Sequence, residues 1–349
     1  MKKRIRNLIP WLVAAGIFGY LFHHYPPSQI WKSLQYVPLI PFLLFSVGYF
    51  FWIYFADVAS ILYILKRFHY PIRFRELFPV RGVSYLLMIL NYAAAQAGFA
   101  YYLKRTHKIP IFEVLGFLFF IAIIDIYWII TLAFFGSFFQ ENIVQNISLN
   151  TIIQSMAIFA YALLFLNFLF WHERLSRWIG VRPHWKPIRW LHSKKIFRVF
   201  KEASLADYFR FALIRAPIHL TLITSFYILF KIFQINIPFL IVLGKLPIVM
   251  LVGVIPITPG GLGTSNMAIV EFFKPYVHGS ILETAHVTPS EILFAISLVW
   301  MFANYSLKAL TGLFCLQKVS RDLFKPTEEI SQIEAVPALE TPPGFTNPT

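Results

Sequence analysis

Ile255-Pro256-Ile257-Thr258-Pro259-Gly260-Gly261-Leu262-Gly263 interrupts an apolar run that extends from Pro238 to Tyr276. Its prolines fix φ and remove backbone donors. Its glycines open the φ > 0 region and let another backbone come close. A break of this kind between two apolar arms predicts a helix–break–helix element. The run is about twice the ~20 residues that one spanning helix needs. Its flanks, 232–237 and 276–290, hold neither Lys nor Arg. The run therefore reads as a hairpin that enters and leaves on one side of a membrane, with a half-helix from Thr264 to Tyr276. The positive dipole end of that half-helix suits an anionic group such as phosphate, and Thr264 or Ser265 is the expected cap.

The rest of the chain supplies the membrane. Of 349 residues, 58% are apolar and 13% charged, and the mean hydropathy is +0.64. A soluble domain runs about 45–50% apolar and about 25% charged, so a soluble enzyme is excluded. Seven further apolar runs are visible: Leu8–Phe22, Tyr36–Leu65, Val80–Leu103, Ile111–Gly136, Thr151–Trp171, Phe209–Ile235 and Pro289–Leu316. The first follows Lys2, Lys3, Arg4 and Arg6 and resembles a signal-peptide h-region, but no small-residue cleavage site follows it, so it reads as a retained helix. The lone Cys315 sits in an apolar run, so no internal disulfide and no Cys-based metal site is expected.

The net charge of +15 is mainly an orientation signal. The stretches 66–81, 104–108, 172–210 and 318–325 carry five, three, ten and three basic residues, and the N-terminus four. Between them, 23–35 has only Lys32, and 137–150 has none. One conflict stands out: Val80–Leu103 has a basic stretch on both sides. It too reads as a hairpin, entering from the basic, cytoplasmic side. Arms of about 11 residues would reach about 16 Å, near the middle of a ~30 Å hydrocarbon core. The expected architecture is all-α and polytopic, with about six full spans and two re-entrant hairpins entering from opposite faces. Repeat halves fall at about 36–136 and 209–318 within an integral membrane domain over 1–325. This is the shape of an inverted repeat. Both termini are expected in the cytoplasm, in the plasma (inner) membrane of a bacterium or archaeon. The loop 172–208, with Trp178, Trp185 and Trp190 among its basic residues, reads as an amphipathic segment on anionic lipid. Its histidines fit no metal motif, and a nucleic-acid partner is not expected. The acidic, Pro-rich tail 326–349 reads as disordered.

The quoted stretch resembles the Pro-x-Thr-Pro-Gly-Gly-x-Gly signature of the lysylphosphatidylglycerol synthase transmembrane family, also described as flippase-like. The chain to about residue 325 is similar to that family in length and hydropathy. Asn91, Gly98 and Leu103-Lys104-Arg105 resemble its upstream block. The chain departs from the pattern in three places: Ala93-Ala94-Ala95 stands where a Pro-Gly pair is usual, Asn266 near a usual Glu, and Trp300 near a usual Arg. The resemblance implies movement of lipids or lipid-linked groups between leaflets. In the multiple peptide resistance factors an aminoacyl-transferase domain follows the membrane part. The short tail has no room for one, so synthase activity is not expected.

Charges inside spans cost about 2.5–3.5 kcal/mol each at mid-depth and tend to face cavities or partners. Asp125, near the middle of its span, is the first candidate, and Asp57 a second. Arg215 and His219, spaced i,i+4 on one helical face around Pro217, form a third, with Arg215 suited to hold a phosphate bidentately. Lys245, in the first arm of the second hairpin, is a further cation. Asn91 and Gln96 near the first hairpin tip are polar contacts. The second tip adds Thr258, Pro259, Gly260, Gly261, Gly263, Thr264 and Ser265. Glu113, Lys231 and Lys308 are expected to snorkel from span ends. The favoured function is a translocase for lipid or lipid-linked substrate, with anionic membrane lipids as partners, no cofactor, no metal and no catalytic residues. The alternatives are a membrane-embedded transferase acting on lipid phosphate, which needs a cluster of His, Asp or Glu, and a non-transporting scaffold. Oligomeric state has no signature in the sequence.

Overall fold

The computed structural model describes residues 12, 15–36, 38–139, 143–144, 147–171, 190, 193–255, 258 and 261–324. The first part of the N-terminal run, most of the basic loop, Pro259 and Gly260 of the second tip, and the tail 326–349 lie outside these. Helix covers 15–24 and Pro27–Gln35. The main helices then follow as α1 (Leu39–Arg67), α2 (Phe74–Leu90), α3 (Tyr92–His107), α4 (Ile111–Phe139), α5 (Asn150–Trp171), α6 (Leu205–Ile232), α7 (Phe239–Val254), α8 (Thr264–Phe273) and α9 (Pro289–Phe324). A two-residue antiparallel ladder, Ile143–Val144 with Ile147–Ser148, closes the loop between α4 and α5.

Five of these helices, α1, α4, α5, α6 and α9, are long and apolar enough to cross a membrane. Their outward faces are apolar too: Leu43, Leu44, Val47 and Trp52 on α1, and Ile158, Phe159 and Phe165 on α5, are exposed. An apolar exterior of this extent needs lipid around it. Helix α6 starts at Leu205, earlier than its apolar run, because Ser204 and Asp207 form a capping box. Ser204 Oγ accepts the Asp207 N–H at 3.2 Å, and Asp207 Oδ2 accepts the Ser204 N–H at 2.9 Å.

The remaining four helices form two pairs. Helices α2 and α3 are broken at one residue, Asn91, whose backbone is extended and whose side chain accepts the Ala94 N–H at 2.8 Å. This cap does the work that a Pro-Gly break would do elsewhere. The arms are longer than the apolar run implied. They continue through Arg75 and Arg81 at one end and Lys104 and Arg105 at the other, so 16 to 17 residues give each arm about 24–25 Å. The open ends of the pair lie together. Glu76 and His107 are 3.9 Å apart, Lys318 Nζ donates to the Arg75 carbonyl at 3.3 Å, and Arg105 Nε donates to the Leu323 carbonyl at 2.7 Å. Both arms therefore end against the last turns of α9. Helices α7 and α8 have the mirrored layout at the far end of the molecule, where the Asn236 N–H donates to the His278 carbonyl at 2.6 Å, bringing the two mouths together.

Glycine sets the closest helix contacts. A Cβ on Gly312 of α9 would stand 2.4 Å from Leu86 Cβ and 2.9 Å from the Gly82 carbonyl of α2. A Cβ on Gly136 of α4 would stand 2.8 Å from Gly244 Cα of α7. Each pair's leading arm thus packs against the long helix that follows the other pair, and these are the two most extensive helix pairings in the molecule.

The buried apolar side chains form two cores. One surrounds α2 and α3 at the end that carries Arg67, Arg75, Arg105 and Lys318. It takes in Tyr54, Phe68, Phe99, Phe117 and Phe211. The other surrounds α7 and α8 and takes in Phe42, Leu132, Phe230, Phe273 and Phe294. At the basic end, Arg67 holds Asp207 with two bonds of 2.9 Å, tying the end of α1 to the start of α6. Glu113, expected to snorkel, is instead buried there, held by the Tyr70 hydroxyl and by Arg198 Nη1 at 2.8 Å. Burial, and then the bond to Glu113, push the Tyr70 phenol up to about 12, so it remains a donor at neutral pH. This fastens the segment from Lys195 to Glu202 onto α4.

Candidate functional site

Between the two cores lies a cluster of charged side chains. Asp57 of α1 sits ten residues from the basic end of its helix, or about 15 Å in. It is 4% exposed. One of its oxygens accepts from Arg81 Nε at 2.7 Å and from the Tyr85 hydroxyl at 2.9 Å; the other accepts from Arg215 Nη1 at 2.7 Å. Arg215 of α6 continues to Asp125 of α4. Its Nε and Nη2 donate to the two carboxylate oxygens at 2.8 and 2.5 Å, and Nη1 also reaches Ser60 Oγ at 2.8 Å. His219, one turn on, places Nε2 2.9 Å from Asp125 Oδ1 and stacks on Trp128. Its Nδ1 is buried and has no hydrogen-bond partner among the described residues. Gln96 of α3 closes the far side at 3.5 Å from Arg81 Nη1, and Arg81 lies 5.7 Å over the Phe99 ring.

Two guanidiniums thus meet two carboxylates between the span helices, in a place where an isolated charge would be costly. The spans α1, α4 and α6 supply Asp57, Asp125, Arg215 and His219. The α2–α3 pair supplies only Arg81, Tyr85 and Gln96. The cluster is therefore the polar seam along which that pair meets the spans.

A second polar region lies at the other tip. Gly261 and Gly263 take φ of +74° and +80°, as a tight turn into α8 requires. Gly263 is itself the cap residue of α8, and its N–H donates to Asn266 Oδ1 at 3.1 Å, while Asn266 Nδ2 donates to Ser297 Oγ of α9 at 2.9 Å. Thr264 does not cap: its hydroxyl donates to the Gly261 carbonyl at 3.1 Å and lies 3.2 Å from Thr258 Oγ1. Gly261, Ser265, Asn266, Trp300 and Tyr305 line a cavity of about 190 Å³. Trp300 packs 4.8 Å from Tyr49, which lines a groove of about 460 Å³ between α1 and α6 on the outer surface. The Tyr49–Trp300 pair thus has one ring on the groove and the other on the cavity.

The structure sorts the residues singled out in the sequence. Gln96, Asp125 and Arg215 join the cluster, together with Asp57 and His219. Gly261 and Ser265 face the cavity, and Thr258, Gly263 and Thr264 build the turn beside it. Pro259 and Gly260 lie outside the described residues. Asn91 is an exposed cap at the first tip. Lys245 is buried with its ammonium 5.3 Å over the Tyr276 ring, directed toward the mouth of its hairpin. Arg81 was missed. Counted as a loop charge, it lies inside α2 and is 8% exposed. Asp57 was the available signal, since a carboxylate inside an apolar span calls for a cation. Lys308, expected to snorkel, stands in the middle of α9 between two tyrosine rings. Among the described residues no group of three or more His, Cys, Asp or Glu is placed to hold a metal.

A family model described as the lysylphosphatidylglycerol synthase TM region matches residues 7–312. No curated protein and no solved structure matches the chain.

Proposed function

The chain belongs to the lysylphosphatidylglycerol synthase transmembrane family, and we propose that it is a lipid translocase that carries an anionic headgroup between leaflets. The observation that carries this reading is the charge-balanced cluster of Asp57, Arg81, Arg215 and Asp125, buried at mid-depth between two separate cores. As the helices stand, Arg215 is held by Asp57, Asp125 and Ser60, and Arg81 by Asp57 and Gln96. If the α2–α3 pair, read as a re-entrant hairpin, withdraws, Arg81 leaves Asp57 and both regain open valences. A phosphate oxyanion can then take the bidentate place of a carboxylate on a guanidinium. The headgroup crosses along this seam while its tails stay in lipid. The α7–α8 pair, read as the inverted counterpart, gives the same device access from the opposite face. The basic end, with Arg67, Arg75, Arg105 and Lys318, is the cytoplasmic face by the positive-inside rule, and anionic membrane lipids are the partners.

The test is leaflet-resolved movement of labelled phosphatidylglycerol in reconstituted vesicles. Wild-type protein is expected to accelerate exchange at least several-fold over protein-free vesicles. Unchanged rates across several anionic headgroups would contradict the proposal. One observation favours a second reading, transfer chemistry at a lipid phosphate: His219 meets Asp125 as a general base meets its orienting carboxylate. Against it, Arg215 already holds both Asp125 oxygens. Product formed by purified protein from lipid donors is its test.

A further inference from the structure

The buried charges do not sum to zero once Lys308 is included. Lys308 lies on α9 eight residues, or about 12 Å, inside the end of the apolar run at Leu316. It is half-buried and belongs to the stripe that includes Asn304, Thr311, Gly312 and Cys315, the face of α9 turned into the protein. Its ammonium is 5.9 Å from the Tyr85 ring centre and 5.5 Å from that of Tyr305. Among the described residues it makes no hydrogen bond and no ion pair. Among the described residues, three cations, Arg81, Arg215 and Lys308, thus stand with two carboxylates, Asp57 and Asp125.

The two tyrosines give that charge its position. Tyr85 donates to Asp57, so it belongs to the charged cluster. Tyr305 lines the 190 Å³ cavity with Ser265 and Asn266. Lys308 stands where the two polar regions of the molecule meet. Aromatic rings stabilise a cation without neutralising it. An oxyanion beside the ammonium would restore the balance, and Ser265, which lines the cavity with Tyr305, carries a hydroxyl able to donate to it.

We infer that Lys308, with Tyr305 and the cavity at the α8 tip, is a binding site for a phosphate oxyanion. This deepens the translocase reading and rests on it for the source of the ligand: a lipid phosphodiester in that reading, free phosphate otherwise.

The experiment measures equilibrium binding to the purified full-length chain in detergent, with short-chain phosphatidylglycerol and inorganic phosphate as separate probes. Wild type is expected to bind phosphatidylglycerol, Lys308→Gln to bind it at least about tenfold more weakly, and Lys308→Arg to remain within about threefold. Lys231→Gln, at a span end, should bind as wild type does, and matching elution volume and helical signal show that each variant is folded. Lys308-dependent binding of inorganic phosphate alone would keep the site and assign it to free phosphate. Wild-type affinity in folded Lys308→Gln, or no binding of either probe by wild type, overturns the site. Transport in vesicles separates the two claims. Lys308-dependent binding without transport removes the translocase and leaves the site; transport with Lys308-independent binding does the reverse.

Discussion

Arg215 makes four hydrogen bonds to three side chains, and Arg81 shares Asp57 with it. Replacing Asp57 alone strands Arg81 in a buried site and leaves Arg215 with Asp125 and Ser60, and breaking a buried pair in this way costs about 3–5 kcal/mol. Asp57→Leu is therefore expected to lower the unfolding midpoint in detergent sharply. Asp57→Leu combined with Arg81→Met removes one charge of each sign and should recover much of that loss. A double variant no more stable than the single one would refute the pairing. Asp57 could be read from the sequence because a carboxylate inside an apolar run is conspicuous. Arg81 could not: it stands at the edge of a run, and sequence alone does not tell which edge residues the helix carries into the protein. For Lys308 the apolar run located the helix but not its depth, since α9 extends eight residues past the run's end.

At the scale of elements, the two hairpins differ in how they break. The Thr258–Gly263 turn announces itself in prolines and glycines. The Asn91 turn rests on one side-chain cap, which typically contributes about 1 kcal/mol, and Asn91→Ala should loosen the first tip, seen as faster amide exchange over 92–95. The packing of both leading arms depends on glycine. Gly312→Val meets Leu86 Cβ and the Gly82 backbone, and Gly136→Val meets the backbone of α7 at Leu243 and Gly244. Overpacking costs about 1–3 kcal/mol where neighbours can shift, and backbone cannot yield as a side chain does. Both variants are expected to lose stability by at least that amount in detergent unfolding. If either is neutral, the helix pairing described here is wrong at that position. The arm lengths were misread because charged residues continue α2 and α3 beyond the apolar run.

Across the whole molecule, the basic side chains gather at one end and the charged cluster separates a core around each hairpin. If the first hairpin opens to the cytoplasmic side and the second to the outside, as we propose, cysteines at Thr106 and Ser280 in a Cys315→Ala background should label from opposite sides of an oriented membrane. Labelling of both from one side would remove the opposed-hairpin topology. The expectation of this arrangement comes from the charge pattern, through the one run flanked by basic residues on both sides. What it could not carry was the joint between hairpin and spans, which is made of side chains far apart in the chain. That joint is the central claim: headgroups cross when the α2–α3 pair parts from α1, α6 and α9. The most direct test places cysteines at Arg75 and Lys318, where the Lys318 ammonium reaches the Arg75 carbonyl at 3.3 Å, and joins them with a cleavable thiol-reactive crosslinker in vesicles that transport labelled phosphatidylglycerol. Transport should stop on crosslinking and return on cleavage; undiminished transport with the hairpin locked to α9 would contradict the account.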